Sequence, residues 1–541
     1  MSHARDEAGP AAADPELVEL CRLYTRHVPV EALGSDVDAS VALADAARTH
    51  RAMAAHLGPG APLIDVRGAA TGGTVVDILS EDMPYLVESV LAGVGRVDAR
   101  VRQMINPSVV VRRGVDGELL EVVPAAEEAP PGCVIEVWMR IELDPFPADE
   151  FADLEAELRH VLSDVRVVTG DRERMVGTVR KVAAELAGAP AADAQDLARL
   201  LEWLADGHFL FLGYRRDRRE RRGHRLRAVP GSGLGVLRQD EPSLVQDRDA
   251  DAVVFTRAST PSRVLRPAYP YYVVIRSVGA VQHRFLGLFT AAALRENVLD
   301  IPAIAGRVRA AINRAGFPLE SYSGQRMLEV LSDYPREELF GAGVEALHET
   351  ATGVLALTQP RRLRLFLRRQ PDGRFVSCLV YLPRDRYTTR ARLAMQDLLL
   401  HELGGWRIDH TARISESRLA LVHFVVQVDP AAPQPDQIRL QGQLGVVILT
   451  WDDWVFDLVG AGDDEIADYV AGVPEGYKDD TDPVQALADL RRIRGLGSEP
   501  HFELVLGPDT EVRFRMFRIG AAVSLSAILP LLQDLGVEVL D

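Results

Sequence analysis

Few side chains in this sequence have the type and spacing to do chemistry together. His401, His410 and His423 lie close in sequence and invite a metal reading, but zinc ligands on a helix need a spacing such as HExxH. Here Glu402 directly follows His401, so the three read as surface or sheet histidines. Gly341-Ala342-Gly343-Val344-Glu345-Ala346 satisfies a relaxed GxGxxA. That fingerprint holds a pyrophosphate only when a strand precedes it, and here it follows the helical stretch PREELF. Gly231-Ser232-Gly233-Leu234-Gly235 is followed by GVLR, which reads as strand, so a sharp loop is expected there. His208, in Gly207-His208-Phe209, would need partners to act as a base and reads instead as a strand start. Lys181 and Lys478 are the only lysines, which leaves lysine chemistry two candidates. The pairs Asp452-Asp453, Asp463-Asp464 and Asp479-Asp480 read as helix starts or solvated charge. Thr411 to Ser417 (TARISES) reads as a loop, and neither GxxxxGK[ST] nor GxSxG occurs.

The 541 residues carry 61 basic and 79 acidic side chains, a net charge of -18 that disfavours nucleic-acid partners. Cys21, Cys133 and Cys378 are odd in number and far apart, which predicts no disulfide framework and a reducing, cytoplasmic setting. The polar, acidic N-terminus lacks the apolar core of a signal peptide, and no apolar run approaches the roughly 20 residues of a membrane span.

What would position any site is a recurring arrangement of strands and helices. A flexible tail (1–14) and a helical lead (15–60) precede strands at Leu63–Val66 and Thr74–Leu79. Asp82 then stands where a helix N-cap would, with Pro84 in the first turn and Met83, Leu86, Val87, Val90, Leu91 and Val94 at helical spacing. Strands at 107–113, 118–123 and 134–143 lead to a helix from Pro147 to about Leu162. Helices are expected at 171–186 and 194–205, and strands from His208 to Thr290. Residues 302–357 read as helical, broken at Gly316 and Pro335. A hairpin across Pro371-Asp372-Gly373 opens a second sandwich. Its helix is capped by Thr388 or Thr389 and closed by Gly404 and Gly405. Residues 436–493 read as mainly helical. HFELVLG and EVRFRMFRI then begin a third sandwich, with a helix near 526–535 and a strand from Val537 that has no following partner. An unpaired apolar strand invites association, so the chain is expected to be the front of something longer. The fold class expected is α+β: several sandwiches with antiparallel sheets and helical connectors.

Several strings together carry a family resemblance: EDMPYLVES (81–89), LEWLADGHFLFLGYR (201–215), GSGLGVLR (231–238), RPAYPYY (266–272), GRFVSCLVYLPRDRYTT (373–389), TARISES and YKDDTDP (477–483). In this order and spacing the chain resembles the N-terminal part of the large NAD-specific glutamate dehydrogenases of bacteria. The resemblance implies ACT-like domains at 61–165, 361–430 and 499–541, the last truncated, and a PAS-like domain at 207–300. Helical connectors are implied at 166–206, 301–360 and 431–498. It implies a parent enzyme that uses NAD to convert L-glutamate to 2-oxoglutarate, ammonium and NADH, with the catalytic domain following in the same polypeptide. No catalytic, cofactor-binding or metal residue of the family matches a position here, and neither lysine lies in a matching context. This chain is thus expected to be inactive alone and to bind no cofactor. Its expected roles are regulation and assembly of a homo-oligomer, with an amino-acid effector and its own catalytic domain as partners, and neither nucleic acid nor membrane. The candidate effector residues lie in loops joining a strand to a helix N-terminus, where an anion can sit. They are Glu81, Asp82 and Met83, then Arg384, Asp385, Thr388 and Thr389, then Ser524 and Ser526. The plainer reading of each is a capped turn. The alternative function is a stand-alone amino-acid sensor or interaction protein.

Overall fold

The computed structural model describes residues 20–534 apart from 25–36, 59, 70–71, 124–128, 189–191, 220–225, 239–252, 278–280, 358–361, 415–416, 460–463, 499, 507–511 and 522, together with 536. The tail at 1–14 and the strand expected from Val537 lie outside these residues. The chain falls into two units, 1–355 with 368–377 and 428–431, and 356–367 with 378–427 and 432–541. The class is α+β, as the sequence indicated.

In the first unit, helix α1 (Val37–Met53) precedes strands β1 (Leu63–Gly68) and β2 (Thr74–Glu81), helix α2 (Leu86–Arg96), and strands β3 (Val101–Ile105), β4 (Ser108–Arg113), β5 (Leu119–Val123) and β6 (Val134–Leu143). The sheet runs β1-β2-β6-β4-β5, with β3 also on β6, and every pair is antiparallel. The spine is β6, whose VIEVWMRIEL buries Val137, Trp138, Met139, Ile141 and Leu143. Leu20, Tyr24, Leu43, Ala46 and Ala47 of the helical lead form a core with Leu79 and Trp138 on this sheet.

Helix α2 buries Leu86, Ser89, Val90, Gly93 and Val94 at three- and four-residue spacing. Gly93 is a close-approach point, because a Cβ there would stand 3.0 Å from Val161 Cγ2. The helix does not begin at an Asp82 cap as expected. Tyr85 precedes it in the left-handed region (φ 69°), with no side-chain cap. Asp82 instead extends the ladder, its N–H donating to Ile135 O at 3.0 Å.

The helices expected at 147–162 and 171–186 are one helix, α3 (Phe151–Ala187). The gap expected between Leu162 and Asp171 is helical, and its lone glycine, Gly170, costs a helix only about 1 kcal/mol against alanine. Buried Leu154, Leu158, Val161, Val165, Val168, Met175, Val179 and Val182 carry one apolar stripe through it. Helix α4 (Ala192–Trp203) and a short kinked turn lead into a second sheet of β7 (Phe209–Arg219), β8 (Leu226–Ala228), β9 (Leu234–Gly235), β10 (Val253–Arg257), β11 (Tyr271–Ser277) and β12 (Val281–Phe289). Its order is β10-β11-β12-β7-β8, with β9 on β7. The strand expected at GVLR is a turn after the two-residue β9, held by Val236 N–H donating to Leu212 O at 2.9 Å. Helices α5 (Ala291–Arg295), α6 (Ile304–Arg314), α7 (Tyr322–Ser332), α8 (Arg336–Gly341) and α9 (Val344–Leu355) follow.

The third sheet is β13-β14-β16-β15, from β13 (Arg364–Arg369), β14 (Phe375–Pro383), β15 (Arg407–Ile414) and β16 (Leu419–Gln427), with helix α10 (Thr389–Leu403) after β14. Gly373 takes φ 76° in the Pro-Asp-Gly turn, and Gly404 (φ 61°) ends α10 in left-handed geometry. Thr411 to Ile414 belong to β15, in line with a strand reading of WRIDHTARI rather than the loop reading of TARISES, and pair with His423 to Ala420. The second unit continues through α11 (Gln437–Val447), α12 (Trp451–Val459), α13 (Asp464–Ala471), α14 (Glu475–Asp480) and α15 (Pro483–Arg494) to a hairpin of β17 (His501–Leu506) and β18 (Val512–Phe517), then α16 (Leu525–Asp534). Asp436 and Asp482 cap α11 and α15, each accepting from two backbone N–H groups.

Candidate functional site

Each candidate effector loop joins a strand to a helix, but the three helix starts differ. At the first loop Glu81 and Asp82 are exposed, Met83 is buried, and no side chain caps α2. The Ser89 hydroxyl donates to Tyr85 O and accepts from Leu265 N–H at 2.8 Å, which fixes the turn from below. At the second, Thr388 Oγ1 accepts from Ala391 N–H at 3.1 Å, so the α10 terminus is already capped, while Thr389 is the first helical residue. Arg384 and Asp385 point to solvent, and their neighbour Arg386 reaches Asp453, Nη1 to Oδ2 at 2.6 Å. At the third, Ser524 and Ser526 are exposed and share a hydroxyl hydrogen bond of 3.0 Å.

The first loop borders a cavity of about 790 Å³. Pro84 and Tyr85 form one wall and α3 the other, with Ala205 and Leu210 closing it. Thr169, Glu173, Val176 and Arg180, with Gly170, Arg174 and Gly177, lie at spacings of three and four and so form one helix face. Gly170 and Gly177 leave room, since a Cβ at either would meet nothing within 4 Å. Arg172, Arg174 and Arg180 against Glu173 make the lining basic. Arg174 pairs with Asp171 at 2.9 Å and Arg180 with Asp206 at 3.0 Å. Among the described residues the Thr169 hydroxyl has no hydrogen-bond partner. An uncapped helix start beside these arginines suits a small anion, with Asp171, Glu173 and Asp206 offsetting part of the wall's charge.

Sequence reasoning missed the buried carboxylates that tie the first unit together. Asp171 of α3 accepts from Gly235 N–H (2.8 Å) and from Arg238 Nε and Nη2 (2.7 and 2.8 Å). The Arg238 hydrogen bond, opposed by burial, lowers its pKa below the usual carboxylate value. On the first sheet, burial resists ionisation of Asp77, yet hydrogen bonds from His50 and Arg140 hold its carboxyl well below the ordinary range. His50 Nε2 lies 2.8 Å from Asp77 Oδ1, and Arg140 donates to both oxygens at 2.8 and 3.0 Å. Tyr24 O–H meets His50 Nδ1, and burial depresses the His50 pKa. Tyrosine, histidine and aspartate in line resemble a nucleophile with its base. Tyr24, His50 and Asp77 are all fully buried, however, so no substrate reaches them and the network is structural.

Among the described residues no group of three or more His, Cys, Asp or Glu could hold a metal ion. His423 is buried on β16, whereas His401 and His410 are exposed. His208 stacks on Trp203 (centroids 4.2 Å apart), its Nδ1 is 2.8 Å from Trp203 O, and Phe209 begins the strand. Gly341 to Val344 join two helices and line a second cavity, of about 490 Å³. Arg368 Nη1 would stand 2.9 Å from a Cβ on Gly341, and the segment has no strand before it. It does not fit a dinucleotide. Of the acidic pairs, Asp453 is buried rather than solvated and exchanges hydrogen bonds with Thr450 as a capping box. Asp452 is 3.0 Å from Lys478, whose pKa that contact raises.

Five family sequence models match the chain in succession, all of glutamate dehydrogenase: the ACT1 domain over residues 20–158, helical motif 1 over 301–360, the ACT2 domain over 364–452, helical motif 2 over 461–496 and the ACT3 domain over 502–541. The chain belongs to the glutamate dehydrogenase family. Similar curated proteins include the NAD-specific glutamate dehydrogenases of Mycobacterium tuberculosis (36% identical over 499 residues, 87% of this chain and 30% of the relative) and Pseudomonas aeruginosa (32% identical over 515 residues, 88% and 32%). That of Halomonas elongata is 32% identical over 523 residues, again 88% of this chain and 32% of the relative. The chain thus spans 30–32% of the length of these relatives. No described helix is long and apolar enough to cross a membrane.

Proposed function

We propose that this chain is the regulatory and oligomerisation portion of an NAD-specific glutamate dehydrogenase. The succession of three ACT domains and two helical motifs carries the reading. The parent reaction is oxidation of L-glutamate by NAD, with water, to 2-oxoglutarate, ammonium and NADH in the cytoplasm. The dinucleotide belongs to a catalytic domain in the longer chain, and these residues contribute no catalysis. The strand order β10-β11-β12-β7-β8, with the first strand of the sheet between its second and its last, supports a PAS-like domain at 207–300.

The cavity beside Pro84 and Tyr85 is the preferred effector site, ahead of the loop at Arg384–Thr389, where Thr388 already fills the helix terminus. An effector there acts by favouring one of two arrangements of the assembly. The test is NADH formation from glutamate by this chain and by a version extended through the following reading frame. Activity only in the extended form is expected. Activity in the 541-residue chain would refute the reading, and activity in neither would favour a stand-alone sensor.

A further inference from the structure

Strand β10 ends the second sheet and is paired only with β11 among the described strands. In an antiparallel ladder, alternate residues turn their backbone N–H and C=O toward the partner strand and away from it. Ala258 N–H donates to Pro270 O at 2.7 Å, so Ala258, Thr256 and Val254 face β11. Val253, Phe255 and Arg257 therefore face outward. At Arg257 the outward N–H is met by a side chain, Gln370 Oε1 at 2.9 Å. Val253 and Phe255 have no such partner among the described residues, although Phe255 is only 6% exposed. Buried backbone donors and acceptors are almost always paired.

Val253, Val254 and Phe255 line the cavity of about 490 Å³, together with Gly306 and Ala310 of α6 and the Gly341–Val344 link. Gly306 leaves room, since a Cβ there would meet nothing within 4 Å. Leu197, Phe340 and Val344 add apolar surface, the Phe340 ring centroid lying 5.3 Å from that of Phe255. The charged residues of the lining are engaged already. Asp196 pairs with Arg199, and Arg307 donates to Phe340 O and Ala342 O at 3.0 and 3.3 Å. The polarity left open is that of the strand edge, which carries no charge. Val253 C=O and Phe255 N–H flank one peptide unit, an acceptor beside a donor on the same side. A primary carboxamide carries the complementary NH2 and C=O on one edge. Gln370 shows this same strand edge donating to a carboxamide oxygen at Arg257.

We propose that this cavity binds a small molecule with a primary carboxamide on an apolar body, the NH2 donating to Val253 O and the oxygen accepting from Phe255 N–H. Its volume lies in the range of small-molecule sites, and its lining belongs wholly to the first unit. The site is separate from the cavity beside Tyr85 and does not depend on that reading.

Titration calorimetry of the 541-residue chain with benzamide, isobutyramide, the N,N-dimethyl analogue of each, and benzoate tests it. At least one primary carboxamide is expected to bind saturably, and at least about tenfold more tightly than its dimethyl analogue, which lacks the donor, or than benzoate. Hydrogen exchange followed by mass spectrometry is expected to slow across Val253–Arg257 when that carboxamide is bound. Gly306→Phe fills the cavity from a helix whose propensity it improves, so it is expected to unfold at no lower temperature and to bind at least about tenfold more weakly. Gly177→Phe, in the cavity beside Tyr85, is expected to bind as the parent chain does. The proposal is overturned if neither carboxamide binds, if the dimethyl analogues or benzoate bind equally well, if folded Gly306→Phe keeps the affinity, or if Gly177→Phe abolishes it.

Discussion

The first and second sheets each bury an arginine opposite a charged partner on the neighbouring strand, with opposite results. On the first, Asp77 of β2 stands directly across from Arg140 of β6, and both oxygens of Asp77 receive Arg140 donors. Arg67 adds a third donor group to Asp77 and is itself paired with Asp65, so two arginines face two aspartates. On the second, Arg284 stands across from Arg215, and Asp217 pairs with both. The burial is similar and the pairing is not. A carboxylate facing an arginine pairs with it directly across the ladder, whereas two facing arginines need a carboxylate beside them to offset their repulsion.

The sharpest way to break this comparison is to make one substitution in both sheets. Arg140→Met takes two donors from the buried Asp77 and is expected to cost about 3 kcal/mol in denaturant unfolding, whereas Arg284→Met leaves Asp217 paired with Arg215 and is expected to cost less. Equal losses would show that the two arginines do the same job. Next in size, Asp171→Asn removes the charge that gathers Arg238 and Arg174 at β9, for about 1–3 kcal/mol by the same measurement, given that both arginines are half exposed or more. A still smaller effect is expected on acidification. His50 titrates lower when folded than its ordinary 6.5, so the unfolded chain takes up that proton first. Its contribution is full above pH 6.5 and lost as pH falls through the depressed value. Melting curves from pH 7.5 to 5 should show a decline that His50→Gln flattens. Least of all, Arg67→Met removes a side chain 36% exposed and should cost about 0–1 kcal/mol. A loss as large as that of Arg140→Met would mean that the outer arginine holds the network.

Local chemistry made much of the fold readable. The Pro371-Asp372-Gly373 turn, the Thr388 cap, the Gly404 stop and the β6 run all act within a few residues of themselves. Where distant packing decides, the reading failed. Asp82 has the right side chain for a cap, but pairing with Ile135 holds it in the ladder. Strand β3 is short and largely exposed, and only its register with β6 makes it a strand. The buried carboxylates were illegible for the same reason. In the sequence Asp217 is one acid inside RRDRR, and Asp171 is one charge in GDRER, each resembling a solvated surface. Their partners Arg284 and Arg238 are far along the chain.

Helix α3 also sets an angular phase. Its 37 residues span about 55 Å and pack on α2 and β1 of the first sheet's layer and on β7 and β9 of the second sheet, with β9 held at Asp171 in mid-helix. Removing one residue from its middle would turn the far end by about 100° relative to the near end, swinging Asp171 away from Arg238 while leaving the hydrophobic content intact. Length, in this helix, is a timing mark: the two sheets stay in step only at the present count of turns.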